Sequence, residues 1–373
     1  MRLIVFSSAP IVQLKGKLFM YTPYEKEMQI WAKHTDEIQF CCPVWEEHKN
    51  LLVSQINFST LTTITLEEFS VKTIRSAFSS IRKVLKNRST IFKAMQQADH
   101  IHLRCPGNIG LLACIVQIFF PSKTKTAKYA GNWDPKSKQP WSYRLQKWIL
   151  NNPFLTRNMQ VLVYGNWENQ SKNLKPFFTA TYSEQEEAAI SKTINQQEKI
   201  RLLFVGTLVE GKNPIYAIRL VEQILQTNQN VVLDIYGEGI LKTVLEKYIE
   251  VNNLKEYVFL HGNQNQQVLK KAYQESHFVI LPSKSEGWPK AIAEGMFWAC
   301  VPIATAVSCV PYMLDEGNRG ILLQMDLAKD VAKIIALINH PKDFQDKSKV
   351  ALNWSRNYTL ERFENEIQKL IQG

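Results

Sequence analysis

Short apolar runs recur along this chain, separated by longer stretches in which apolar residues return every three or four positions. The runs suit buried strands, and the periodic stretches suit amphipathic helices. In the first half the strand candidates are Leu3–Phe6, Ile38–Cys42, His100–Leu103, Thr126–Tyr129 and Val161–Tyr164. Helical stretches lie between them, at residues 69–97 and 109–119. The second half is more regular. Arg201–Val205, Val231–Tyr236, Val258–His261, Phe278–Leu281 and Val301–Ala304 alternate with helical segments. Asn213 and Pro214 read as an N-cap followed by proline at the first helical position, opening a helix to about Gln226. Such alternation predicts an α/β chain with parallel, doubly wound sheets. The polar stretch Ser183–Lys199 lacks strand character and reads as an inter-domain connection. The expected layout is a first domain over 1–185, a linker at 186–199 and a second domain over 200–356. An amphipathic helix within 357–373 is expected to pack back on the first domain.

Composition narrows the class. The 373 residues suffice for two domains with full cores. Apolar content of 45% with 21% charged residues is ordinary for a soluble globular protein. The first ten residues read as a strand, not a secretory signal. The longest apolar run, Ile109–Phe120, includes Gln117 and is too short to span a bilayer. The six cysteines form no Cys-x-x-Cys pair and none has a histidine at zinc spacing, so buried free thiols in a reducing cytoplasm are expected.

Charge is uneven. Residues 1–182 carry 24 Lys/Arg against 11 Asp/Glu, or +13, and residues 183–373 carry 21 against 23, or −2. Such a field attracts anionic membrane, phosphorylated lipid or nucleic acid, although a solvated basic surface explains any single cluster equally well. No interleaved aromatic signature of a nucleic-acid module is present, so nucleic acid is not an expected partner. The expected location is cytoplasmic, with peripheral binding to an anionic membrane face.

The most informative chemistry is a pair of carboxylates, Glu286 and Glu294, with seven residues between them. Glu286 falls in the loop after the strand Phe278–Leu281. Glu294 falls in the second turn of the following helix, which Pro289 opens. Ligands of open α/β sheets bind in the crevice beyond strand C-termini, where helix N-termini receive anions. Glu294 also stands four residues after Lys290 and could form an ordinary surface pair, though its apolar neighbours Ala291, Ile292, Ala293, Gly295 and Met296 make an unpartnered carboxylate costly.

A second element is Phe204-Val-Gly206 followed by Thr207 and Lys212. Glycine after a strand allows close backbone approach, and a lysine beside a helix start suits a diphosphate. Alone it reads better as a strand-to-helix turn with an exposed lysine. Gly237-Glu-Gly239 falls short of a dinucleotide fingerprint.

Together these segments resemble retaining glycosyltransferases of family 4, whose GT-B fold has two facing Rossmann-like domains. The resemblance covers about residues 200–325, through Phe204–Gly206 with Lys212, Ile235–Gly239, Phe259–Gly262, Leu281 to Glu294, and Val301–Thr305. It implies that Glu286 contacts donor-sugar hydroxyls and Glu294 the ribose. The glycines Gly206, Gly237 and Gly262, with Thr207, Gly287 and Trp288, would border the donor, and Lys212 would hold the diphosphate and stabilise the leaving group. It implies no metal and no cofactor beyond a UDP- or GDP-linked sugar as co-substrate, a glycan or lipid-linked acceptor, and front-face displacement with retention.

Two positions depart from the family pattern. Thr207 stands where an arginine is common. The first-domain loop Lys128–Pro135 lacks the usual histidine. Arg104, Asn132 and Asp134 are the candidates to fill these gaps, with a structural turn an equal reading of the last two. A catalytically weak GT-B binding or assembly subunit is the alternative these departures raise.

Overall fold

The computed structural model describes residues 1–49, 51–70, 80–168, 170–195, 197–227 and 230–372. The chain divides into two compact units. One comprises Met1–Phe177 together with Phe363–Gly373, and the other comprises Phe178–Arg362.

The first unit is built on a seven-stranded parallel sheet. Its strands are β1 (Arg2–Phe6), β4 (Glu37–Cys42), β7 (Ile64–Thr65), β8 (His100–Cys105), β9 (Thr124–Tyr129), β10 (Met159–Tyr164) and β11 (Leu174–Phe177). Their order is β11-β10-β9-β8-β1-β4-β7. The chain starts in the middle, grows to one edge and returns to the other side of β1. A smaller sheet joins β2 (Ile11–Leu14), β3 (Lys17–Tyr21), β5 (Val44–Trp45) and β6 (Val53–Gln55). The central strand β1 is apolar on both faces, as a sheet covered on both sides requires, whereas β8 and β9 also bury His100, His102, Thr126 and Lys128. In β1, residues Leu3 to Phe6 are all fully buried. The helical stretch expected at 69–97 is observed as Ile81–Gln97, and its residues 71–79 lie outside the described residues.

The helix Leu360–Gln372 contributes its later residues to the first unit. Phe363 meets Phe177 with ring centroids 5.3 Å apart. Glu364 accepts from Lys33 at 2.9 Å, and Glu366 pairs with Lys175 at 2.8 Å.

The second unit carries a six-stranded parallel sheet: β12 (Ile200–Val205), β13 (Val231–Tyr236), β14 (Val258–Gly262), β15 (Phe278–Leu281), β16 (Val301–Thr305) and β17 (Ile321–Leu323). The order β14-β13-β12-β15-β16-β17 reverses between β12 and β15. That reversal opens a crevice at the strand C-termini. The helix Lys290–Phe297 packs on β15 so closely that a Cβ on Gly295 would lie 2.5 Å from a Val279 methyl. Residues 186–199 are counted with this unit. Lys192 is buried there and donates to the carbonyls of Tyr273, at 2.7 Å, and Ser276. Burial alone pulls its ammonium below the usual lysine range, and those carbonyls offset the desolvation.

Candidate functional site

The crevice floor in the second unit is a row of glycines. Gly206 follows β12 and its N–H donates to the Tyr236 carbonyl at 3.0 Å. Gly237 follows β13 and its N–H donates to the Gly262 carbonyl at 2.8 Å. A methyl on Gly237 would sit 1.9 Å from the Gly206 oxygen, and its φ of +147° is open to glycine alone. Three neighbouring strands therefore end at glycines, and the Glu238 carboxylate lies 2.8 Å from where a Cβ on Gly262 would stand.

Across the reversal, β15 runs into the loop Pro282–Pro289. The Lys284 N–H donates to the Gly211 carbonyl at 2.8 Å, tying this loop to the one after β12. Lys212 Nζ then lies 2.5 Å from Glu286 Oε1. The Glu286 side chain is only 7% exposed and that of Lys212 31%. A carboxylate so deeply placed needs this cation. The loop is anchored further along: Gly287 O accepts from Cys309 Sγ at 3.0 Å, and the Trp288 ring stacks on Trp354 at 6.1 Å. Thr207 is exposed beside Gly206 and adds no charge.

Asn213 occupies the N-cap position of the helix Pro214–Leu225, but in a left-handed conformation without a side-chain cap. The cap expected from sequence is positional only. Pro289 likewise holds the N-cap position, one residue before the helix that carries Glu294.

Glu294 has a different setting from Glu286. Its Oε1 accepts from Thr181 Oγ1 at 2.8 Å and lies 3.7 Å from Lys290 Nζ. The pair with Lys290 thus exists but is loose, and Thr181 is the closer partner. Burial, and after it the Glu294 carboxylate, push the Tyr273 and Tyr182 phenols above their ordinary range. Thr181 carries no motif signal. It is recognisable only once the fold brings it, 113 positions away, beside the helix.

The three first-unit candidates are engaged locally. Arg104 Nη1 donates to Glu27 Oε1 at 2.9 Å, and its guanidinium lies 4.0 Å from the Tyr24 ring centroid. Lys128 Nζ donates to the other Glu27 oxygen at 2.9 Å. Burial would raise the Glu27 carboxyl, but Arg104 and Lys128 outweigh it and hold it at about 2. Arg104 is therefore one member of a buried ion triad with Glu27 and Lys128. Asn132 Oδ1 accepts from the Asp134 N–H at 2.9 Å, and Asp134 Oδ1 from the Lys136 N–H at 2.8 Å. The pair sits in a self-bonded turn. Sequence reasoning passed over Glu27. The signal was present: Glu27 falls three after Tyr24 and four before Trp31, on the buried face of Thr22–Lys33.

Among the described residues no group of three or more His, Cys, Asp or Glu is arranged to hold a metal ion. All six cysteines are free and buried. No helix among the described residues is long and apolar enough to cross a membrane.

Two doubly wound parallel sheets in separate units define a GT-B fold. HepE of Anabaena, solved in complex with UDP and glucose, matches with a TM-score of 0.68 at 14% identity, covering 100% of both chains. Residues 185–351 match the family Glycosyl transferases group 1. An uncharacterized glycosyltransferase of Methanocaldococcus jannaschii is 25% identical over 171 residues, 46% of this chain and 47% of that protein. The poly(ribitol-phosphate) alpha-N-acetylglucosaminyltransferase of Staphylococcus aureus strain COL is 29% identical over 147 residues, 39% of this chain and 29% of that protein. The chain thus spans less than half the length of these two relatives.

Proposed function

We propose that this chain transfers a sugar, of hexose type, from a UDP- or GDP-linked donor to a glycan or lipid-linked acceptor with retention, in the synthesis of a cell-surface polymer or glycolipid. The observation that carries this reading is the Lys212–Glu286 pair at the sheet reversal, beside strands that end at glycines. Glycine backbone admits a nucleotide diphosphate close to the sheet. Lys212 supplies the positive charge that stabilises the departing diphosphate. Glu286, loop-borne and reachable from the same crevice, accepts hydrogen bonds from donor-sugar hydroxyls. Glu294 accepts from the ribose. The bond from the anomeric carbon to the phosphate oxygen breaks while the acceptor hydroxyl adds from the same face. Its proton passes to the leaving phosphate, so no protein nucleophile is needed. The named activity of the Staphylococcus aureus relative and the UDP bound to HepE support this class of donor and acceptor.

Thermal unfolding across a panel of nucleosides, nucleoside diphosphates and nucleotide sugars tests the reading. A ligand at one hundred times its Kd adds about 2.7 kcal/mol. A rise with UDP or GDP and their sugars, larger than with the nucleoside, is the expected outcome. A panel without any response removes the proposal. The uncharged, exposed Thr207 favours one alternative, a binding subunit with weak turnover. Donor consumption in the presence of cell-surface glycan acceptors separates the two.

A further inference from the structure

Glu286 stands on a loop, and loop-borne side chains are held less precisely than those on helices or strands. The loop Pro282–Pro289 is pinned at its start by the Lys284 N–H on the Gly211 carbonyl. After Glu286 it is pinned twice more. The Gly287 carbonyl accepts from Cys309 Sγ at 3.0 Å and from Ser308 Oγ at 3.3 Å. Trp288, itself only 8% exposed, then enters a group of rings from elsewhere in the second unit. Its indole stacks on Trp354, with centroids 6.1 Å apart and planes at 25°, and meets Tyr358 edge-on at 5.5 Å.

The rings that receive Trp288 support one another. Trp354 lies at the end of the helix Pro341–Ser355, and Tyr358 follows one turn later. Their centroids are 4.6 Å apart. Tyr312 meets Trp354 edge-on at 6.1 Å, and its hydroxyl lies 3.2 Å from that of Tyr358. The Arg319 guanidinium lies 5.1 Å from the Trp354 centroid and donates to the Tyr312 and Met313 carbonyls at 3.1 Å and 3.0 Å.

The place of this group separates it from ordinary core packing. Trp354 and Tyr358 are half-buried and Tyr312 is exposed, so the rings form a wall near the surface of the unit, not its interior. That wall receives the one loop side chain two residues past the carboxylate. Ring pairs favour edge-on and offset arrangements, so such a wall fixes orientation as well as distance. With Gly287 held by Ser308 and Cys309 and Trp288 held by the rings, the Glu286 carboxylate is presented to Lys212.

We propose that Trp354 is a positioning residue for sugar transfer, supported by Tyr358 and Tyr312: through Trp288 it keeps Glu286 where donor-sugar hydroxyls meet it. The inference rests on the reading of Glu286 as the acceptor of those hydrogen bonds. Lys212, Glu294 and the glycines are placed by other elements, so nucleotide affinity does not depend on the Trp354 ring.

Initial rates of donor consumption test it with the full chain, beside calorimetric titration with UDP and GDP. The donor probes are UDP-glucose, UDP-N-acetylglucosamine and GDP-mannose. A misplacement of about 1 Å can cost about a hundredfold, so Trp354→Ala should lower kcat at least about tenfold. Affinity for the nucleoside diphosphate should stay within about twofold, which marks loss of an interaction made in the transition state. Trp354→Phe keeps a ring in the stack and should restore most of the rate. In a Glu286→Gln background Trp354→Ala should cost less than about a further twofold, because the group it positions is already disabled, whereas a merely structural contribution would add in full. Circular dichroism and thermal midpoint check folding. Should Trp354→Ala fail to fold, Tyr312→Ala removes an exposed wall of the same stack and should lower kcat at least about threefold, with the same dependence on Glu286. A folded variant that consumes donor as the parent does, or a loss that is fully additive with Glu286→Gln, overturns the proposal alone. A parent chain that neither binds nor consumes any probe overturns it together with the reading on which it rests.

Discussion

Lys212 Nζ and Glu286 Oε1 are 2.5 Å apart across the reversal of the second sheet, each the other's partner. On the proposed reading, an incoming diphosphate shares Lys212 with Glu286 and a sugar hydroxyl shares Glu286 with Lys212, so the two ligand groups favour one another's binding.

Glu286→Gln keeps the shape and removes the counter-charge. Affinity for the nucleoside diphosphate should stay equal or rise, while sugar transfer falls about 10- to 100-fold, the equivalent of a lost charge-assisted hydrogen bond of about 1.5–3 kcal/mol. Lys212→Ala should do the reverse, weakening diphosphate far more than nucleoside. Calorimetric titration with UDP and GDP, beside initial rates, reads both. A Gln variant that loses nucleotide affinity and keeps its rate would contradict the assignment.

Glu294→Ala is expected to weaken nucleoside diphosphate by about 1.5–3 kcal/mol, since the ribose loses its acceptor. Thr181→Val removes the hydroxyl that now occupies Glu294 Oε1 and should leave that affinity equal or tighter. The same calorimetry applies to both. Undiminished affinity in a folded Glu294→Ala variant ends the ribose role.

Removing the Glu27 carboxylate strands two buried cations. Glu27→Ala should cost about 3–5 kcal/mol in urea unfolding. Adding Lys128→Met should recover part of this, because one stranded charge disappears. A single variant as stable as the parent would show that the triad contributes nothing.

His100 and His102 share one hydroxyl, with Thr126 Oγ1 at 2.9 Å and 2.8 Å. That oxygen can donate to one ring and accept from the other, which suits two neutral imidazoles. Burial pulls the His100 ring down to about 4 and the His102 ring well below its usual 6.5. The folded chain resists protonation that the unfolded chain accepts. Their contribution is complete above pH 6.5 and declines by about 1.4 kcal/mol per ring and pH unit as pH falls from 6.5 toward 4. Urea midpoints measured between pH 7.5 and 4.5 should fall accordingly, and less in a His100→Gln variant.

Five of the six strands of the second sheet were legible in the sequence as apolar runs, and the three-residue β17 was not. Val231–Tyr236 and Phe278–Leu281 have the same bounds in the fold as in the pattern. The small sheet of the first unit was not legible. Its strands β5 and β6 are two and three residues long and only partly buried, too short to show alternation. At the site, spacing located Glu286 and Glu294 on loop and helix, but pairing is a property of three dimensions. Spacing could not tell that Lys212 belongs to Glu286 or Thr181 to Glu294. In the sequence Arg104 is a candidate for the cation missing at Thr207. Its partner Glu27 lies 77 positions earlier.

The first unit is finished by chain made after the second. Phe363, Ile367 and Leu370 are buried in it, and Phe363 lies 5.2 Å from the Lys128 ammonium and beside Phe177. Domains generally fold as units while the chain emerges, N-terminal first. Here the N-terminal unit leaves the ribosome with its β9 and β11 surfaces uncovered and waits there until more than 180 further residues have been added. During that interval the exposed strip is open to chaperones or to the same helix of a neighbouring chain. An excised fragment ending at Phe177 carries the same opening permanently, so its solubility should recover when the helix is supplied as a separate peptide.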